Sequence, residues 1–343
     1  MPTHDAAAMQ AMQARQRTAM PHDAVRRQPP LHAAWPYVKR ILTWAFFAAV
    51  AWLIVRQART IEWSQVLESV RGYQLSTLAI AALFAAFSHA LYSTYDLIGR
   101  RITGHKLPAT RVAAIGAISY AFNLNFGSLV GGVAFRYRLY SRSGLDNPTI
   151  TAVLGISVAT NWLGYLLLAG AVALWHPLDL PDDWKLGTSA LRALGIVLTL
   201  VPLAYLAMAW KSRRRSWTVR GRELTLPKLR FATLQLAVST VNWAVIAAVV
   251  YTLLERQVDY PTVLGVLLLA AVAGVLTHVP AGLGVLEAVF IALLVPPLNT
   301  PALVGVLLTY RALYYLAPLL LALVLYASVE ARGRVKAVRT VRR

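Results

Sequence analysis

The sequence predicts an all-α polytopic membrane protein, with about six spanning helices plus two re-entrant hairpins in two inverted repeats. Three observations predict it. The 343 residues are 58% hydrophobic, and the apolar residues lie in blocks. The basic residues, 34 Lys and Arg against 14 Asp and Glu, sit almost wholly between those blocks. Two blocks are interrupted by glycine-rich, polar breaks, at 119–132 and at 274–287. An unpaired backbone group in hydrocarbon costs several kcal/mol, so such breaks belong inside protein or beside water.

Residues 1–37 read as a flexible basic cytoplasmic tail without the apolar core of a secretory signal. Blocks 38–55 and 75–98 open the first membrane repeat, 38–175, as spans. The next block, 112–135, has basic flanks on both sides: Arg100, Arg101, Lys106 and Arg111 before it, Arg136, Arg138 and Arg142 after it. Both flanks are therefore cytoplasmic, and the block must enter and turn back. Its break holds Gly127, Gly131 and Gly132. Block 149–175 then crosses to an acidic segment carrying Asp179, Asp182 and Asp183. In the second repeat, 189–327, blocks 189–210 and 231–254 are spans joined by 211–230, which has eight basic residues against Glu223. Block 262–296 turns back at Pro280, Gly282 and Gly284, entering from outside. Block 301–327 is the last span, and 328–343 is a second basic tail. Both termini are expected in the cytoplasm. A shift of 155 residues carries Gly127 onto Gly282 and superposes the blocks of the two halves. The alternative is chance spacing of hydrophobic helices.

Several chemistries are excluded or unsupported. There is no cysteine, hence no disulfide or thiolate site. The formal charge of +20 comes without a nucleic-acid recognition motif, so the expected partner is the bilayer rather than nucleic acid. His89 and His278 lack zinc-motif spacing, no nucleotide loop is present, and no metal or cofactor is expected.

Four ionisable residues fall within apolar blocks: Asp96, Arg192, Glu287 and Arg311. Each costs about 2.5–3.5 kcal/mol or more at bilayer depth unless paired or hydrated. Glu287 follows the second break, and Arg311 shares a helix face with Tyr314 and Tyr315. They are expected to face a shared polar cavity; a buried pair that only locks the hairpin is the alternative. Arg136 fits a phosphate at the cytoplasmic mouth of the first hairpin, or else serves as a positive-inside anchor. Asp96 has Arg100 at i+4 as the simplest partner; coupling to protons is the other reading. Asn123 and His278 correspond under the 155-residue shift, which makes both cavity candidates. Gln235, Ser239 and Asn242 share one face, for a path or for interhelical hydrogen bonds.

The same residues carry a family resemblance. Asn123, Asn125, Gly127, Gly131 and Gly132, running on through Arg136 to Tyr140, form one piece. Pro280-x-Gly282-x-Gly284-x-x-Glu287 forms a second, and Tyr310-Arg311 with Tyr314, Tyr315 and Pro318 a third. Together they resemble the lysylphosphatidylglycerol synthase transmembrane-region family over roughly 40–330. The resemblance implies a lipid-translocating module in a bacterial cytoplasmic (inner) membrane, with a phospholipid or other lipid as substrate. In bifunctional members that module precedes a soluble aminoacyl-transferase domain. Only 328–343 follow the last span, so that domain is not expected here. Many members have proline in the first piece, where this chain has Asn125-Phe126-Gly127, so its first hairpin is expected to bend on glycine alone.

The leading expectation is a flippase, or transporter of a lipid-linked amphiphile, working by alternating access and not an enzyme. Glu287 would bind a cationic group or proton, and Arg311 and Arg136 a phosphate. The alternatives are a membrane-embedded transferase acting on a phospholipid or polyprenyl lipid, a small-solute secondary transporter, and a non-transporting assembly partner. Homo-oligomerisation is left open.

Overall fold

The computed structural model describes residues 63–178, 180, 187–212, 216–219, 222–277, 282–295 and 298–328, with isolated helical positions between 45 and 59. The expected first span, both tails, His278 and Pro280 lie outside the described residues. The helices are α1 (Trp63–Arg71), α2 (Leu75–Thr103), α3 (Ala109–Gly127), α4 (Phe135–Arg142), α5 (Asn147–Trp175) and α6 (Thr188–Lys211). After a two-stranded hairpin come α7 (Leu229–Leu253), α8 (Tyr260–Thr277), α9 (Val285–Leu294) and α10 (Thr300–Ser328). Seven helical runs among these residues are long and apolar enough to cross a membrane. Five of them, α2, α5, α6, α7 and α10, are single helices.

The other two runs belong to hairpins. Ala109–Arg142 is 34 residues long, enough to span as one helix, yet it is doubled back. At Gly127 the backbone takes φ 81° and ψ 169°, a region essentially restricted to glycine. The return arm starts as a π-helical stretch, Ser128–Ala134, and continues as α4. At Gly131 the arms meet backbone to backbone, and a Cβ there would collide with the Phe122 carbonyl and the Asn123 amide. Stacked rings of Phe122 and Phe135, 3.9 Å apart, seal the arms. Pro108 and Arg111 at the start of the outgoing arm share a groove with Leu139 and Ser143 at the end of the return arm, so both ends are on one side. In the second hairpin α9 returns along α8. Its tip brings Gly282 against Gly274.

α2 and α7 pack along each other, with α5 against both. Residues of α2, α7, α8, α9 and α10 form one buried cluster. A Cβ at Gly164 would strike the backbone of Ser239 and Thr240, so α5 and α7 cross at a small residue. α6 packs on α5 and α7 and is the least buried of the seven membrane-length runs. Leu194, Ile196, Val197 and Leu200 are exposed on it, as a lipid-facing surface requires. The sequence reading put no strand in the basic 211–230 segment. The structure places an antiparallel pair there, Ser216–Val219 with Arg222–Thr225.

A tyrosine-walled cavity between two hairpin tips

Both hairpin tips open on one cavity of about 500 Å³. The first contributes Asn123, Phe126, Gly127, Ser128 and Leu129; the second contributes Gly274, Val275, Gly282 and Leu286. Tyr92 of α2, Tyr120 of α3, Asn161 of α5, Trp243 of α7 and Tyr310, Tyr314 and Tyr315 of α10 complete the wall. Leu129 is 80% exposed and Val275 55%, so the tip of each hairpin presents an apolar side chain.

The wall is shaped by a break in α10. Residues Ala312–Leu316 widen into a π-helical turn, which disturbs the regular i to i−4 ladder. Side chains take up two of its carbonyls. His89 Nε2 stands 3.1 Å from the Tyr314 carbonyl, so this nitrogen carries the proton. Asn125 Nδ2 donates to the Tyr315 carbonyl at 3.1 Å, which ties the first hairpin to α10. The Tyr314 hydroxyl bonds Tyr120 at 2.8 Å and Ser88 at 2.7 Å, and Ser88 donates to Asn242 at 2.7 Å. The polar face of α7 makes interhelical bonds, although the Asn242 Nδ2 has no partner among the described residues. Gln235 donates to Thr160, and Ser239 donates to the Asn161 carbonyl.

Each hairpin is fixed by an arginine–carboxylate pair. Arg136 on the return arm of the first lies against Asp96 of α2, with Nε 3.1 Å from Oδ2 and Nη2 3.1 Å from Oδ1. Tyr140 donates to the same carboxylate, and Arg136 also reaches Ser157 and the Gly132 carbonyl. Asp96 is 0% exposed and Arg136 2%. This corrects two expectations. Asp96 pairs with Arg136 and not with Arg100, whose Nε instead donates to the Leu107 carbonyl. Arg136 does not offer its guanidinium to a phosphate at a hairpin mouth, because its donors are turned inward and occupied.

Glu287 and Arg311 do come together. Arg311 Nη2 donates to Glu287 Oε2 at 2.9 Å and to the Gly282 carbonyl at 3.0 Å. Glu287 also accepts from the Gly284 amide at 3.0 Å, capping its own helix. Gly284 adopts the left-handed region, φ 77°. The pair clamps the tip of the second hairpin, and its side chains are 11% and 19% exposed. Neither residue lines the cavity. Arg311 lies over the ring of Tyr315, which does, at 5.4 Å. Asn123, Tyr314 and Tyr315 lie on the wall. Tyr120 and Trp243 were not among the residues expected at the site, and Tyr310 entered only through the family resemblance. Tyr310 at i−4 from Tyr314 was the available signal.

A match to the family described as the lysylphosphatidylglycerol synthase TM region covers residues 40–322. The chain belongs to this family. Inner membrane protein YbhN of Escherichia coli K12 is 44% identical over 304 residues, 88% of this chain and 96% of that protein. The protein slr0712 of Synechocystis is 30% identical over 262 residues, 75% of this chain and 80% of that one. The phosphatidylglycerol lysyltransferase of Staphylococcus xylosus is 25% identical over 296 residues, 84% of this chain but 34% of that enzyme. The match to the lysyltransferase thus spans about a third of its length. Among the described residues no three His, Cys, Asp or Glu side chains gather as metal ligands.

Proposed function

We propose that this chain is an inner-membrane translocator of an amphiphilic lipid, moving a head group through the central cavity while the tail stays in the bilayer. One observation carries the reading. Two helical hairpins, from different halves of the chain, end at the same cavity, with Leu129 and Val275 exposed at their tips. Irregular backbone at membrane depth is tolerated where it lines a cavity, and paired broken helices are a transporter plan. The 155-residue shift that relates the hairpins also relates α2 to α7, which pack along each other, and this supports an inverted repeat. Alternating access would then be a rocking of the repeats, with both termini cytoplasmic. Glu287 and Arg311 act at the second hairpin, holding its tip in one state and freeing their charges to a head group or proton in another. The name of the E. coli relative supports the inner membrane, and the lysyltransferase match supports a lipid substrate.

The test is lipid translocation in vesicles holding the purified protein, read as bleaching of fluorescent lipid by an impermeant reductant. Protein-dependent loss of the inner-leaflet signal is expected. Loss at the protein-free rate, across a panel of head groups, overturns the reading.

A further inference from the structure

On the translocation reading above, we infer that α10 is the hinged element between the two hairpins, with His89 as the positioning residue that holds its hinge.

α10 is short of one donor. In an α-helix the Tyr314 carbonyl accepts from the amide four residues on, and that residue is Pro318. Proline has no N–H, and its ring crowds the carbonyl four residues back. Just ahead of it the helix widens over Ala312–Leu316, with the Ala317 amide reaching back to the Ala312 carbonyl. Sharp bends in helices fall at prolines and at π-bulges, and both are present here. His89 of α2 supplies a donor from outside the helix, its Nε2 3.1 Å from the Tyr314 carbonyl. Its ring is wedged in place, 4.9 Å from that of Tyr120 and 5.0 Å from that of Tyr314. α10 thus lacks one α bond of its own at this turn and takes a tertiary bond instead. A bond of that kind can open while the helix on either side stays wound.

The two halves of α10 hold different hairpins. On the N-terminal side of the turn, Arg311 grips the second hairpin through Glu287 and the Gly282 carbonyl. On the C-terminal side, Tyr326 accepts from Arg138 Nε at 2.9 Å and meets the rings of Phe122 and Phe135 edge to face, all on the first hairpin. A bend at the turn therefore changes the placement of one hairpin against the other. Tyr310, Tyr314 and Tyr315 lie at the turn and on the cavity wall, so the same bend reshapes the cavity.

The experiment reads the bend directly. The chain has no cysteine, so spin labels at Ala302→Cys and Val324→Cys are the only ones it carries. Both positions are exposed, near opposite ends of α10, and about 33 Å apart along a straight helix. Pulsed electron-spin distance measurement is made on the full chain in lipid nanodiscs. His89→Leu removes one hydrogen bond and should raise the shorter-distance, bent population about three- to tenfold. His89→Gln keeps a donor and should restore the unmodified distribution. Pro318→Ala returns the missing amide. It should give one narrow distance, an unchanged or higher melting temperature and slower translocation. A merely structural role for His89 would lower the melting temperature of His89→Leu and leave the distances alone, which would overturn its assignment. Distances unchanged in both His89→Leu and Pro318→Ala overturn the hinge. Shifted distances with no translocation by the unmodified protein would keep the hinge and sink the translocation reading; translocation by a protein whose distances never change would do the reverse.

Discussion

The two hairpins do the same topological work and are held in different ways. The first is closed along its length. Its arms touch backbone to backbone at Gly131, its rings stack, and its ion pair is sealed from solvent, Asp96 at 0% and Arg136 at 2%. The second is held at its tip, where Arg311 and Glu287 grip Gly282 and Gly284 with side chains 11% and 19% exposed. A charge pair with no water to fall back on is a fastener. One that can be rehydrated is a latch. The ion pair of the first hairpin is thus sealed, and that of the second is open to water.

The largest expected effect separates the two directly. Asp96→Asn or Arg136→Met leaves a buried charge without its partner and should cost about 3–5 kcal/mol, enough to abolish stable protein in detergent. The pair Asp96→Leu with Arg136→Met should regain much of that loss. If each single variant melts like the unmodified protein, the contrast between the hairpins fails. Glu287→Gln and Arg311→Met should each cost less, about 1–3 kcal/mol, because water can reach what remains. Their double variant is expected to recover thermal stability but not translocation. Recovered translocation would reduce the latch to scaffold.

Gly284→Leu comes next. A side chain in the left-handed region costs about 1–2 kcal/mol, and here it would displace the amide that Glu287 holds. Translocation should fall well below that of Leu283→Ala at matched expression, and equal rates would show that the tip geometry is not used. Asn299→Ala removes the side-chain bond to the Ala302 amide that starts α10. It should cost about 1 kcal/mol in melting and leave translocation intact, since it grips neither hairpin.

The smallest effect concerns Asp259, beside the start of α8. Burial pushes its carboxyl up, but bonds from the Thr262 amide and hydroxyl, with His176 3.4 Å away, hold it below the usual carboxylate range. A depressed carboxyl favours the fold above its ordinary value, and that favour is lost as pH falls through the lower folded value. Asp259→Asn should thus lower melting slightly at pH 7 and make no difference at pH 2. A gap that persists at pH 2 would mean the carboxylate's charge is not what matters.

The first hairpin was legible in the sequence because two signals agreed, and the second was legible from its break alone. Charge marked both flanks of 112–135 as one side, and glycine marked where it turns. Gly127 shows why the glycine sufficed without proline, since φ 81° with ψ 169° needs only a missing Cβ. The Asp96–Arg136 pair was hidden by its separation of 40 residues, while Arg100 offered a local partner that the fold uses elsewhere. Tyr120 and Tyr310 were hidden for another reason. Tyrosine reads as neither apolar nor charged, so hydropathy cannot say that its hydroxyl faces a cavity. The pair Ser216–Val219 with Arg222–Thr225 was hidden by the charge of the 211–230 segment.

The order in which the chain is made gives the two ion pairs different histories. Asp96 leaves the ribosome 40 residues ahead of Arg136, so the first hairpin finds its partner already in place. Glu287 leaves 24 residues ahead of Arg311, and its carboxylate must wait for α10. A chain halted before α10 therefore carries a paired Asp96 and Arg136 on the first hairpin and an unpaired acid on the second. Insertion of α10 is the step that pairs Glu287, and a nascent chain that fails there carries a bare carboxylate.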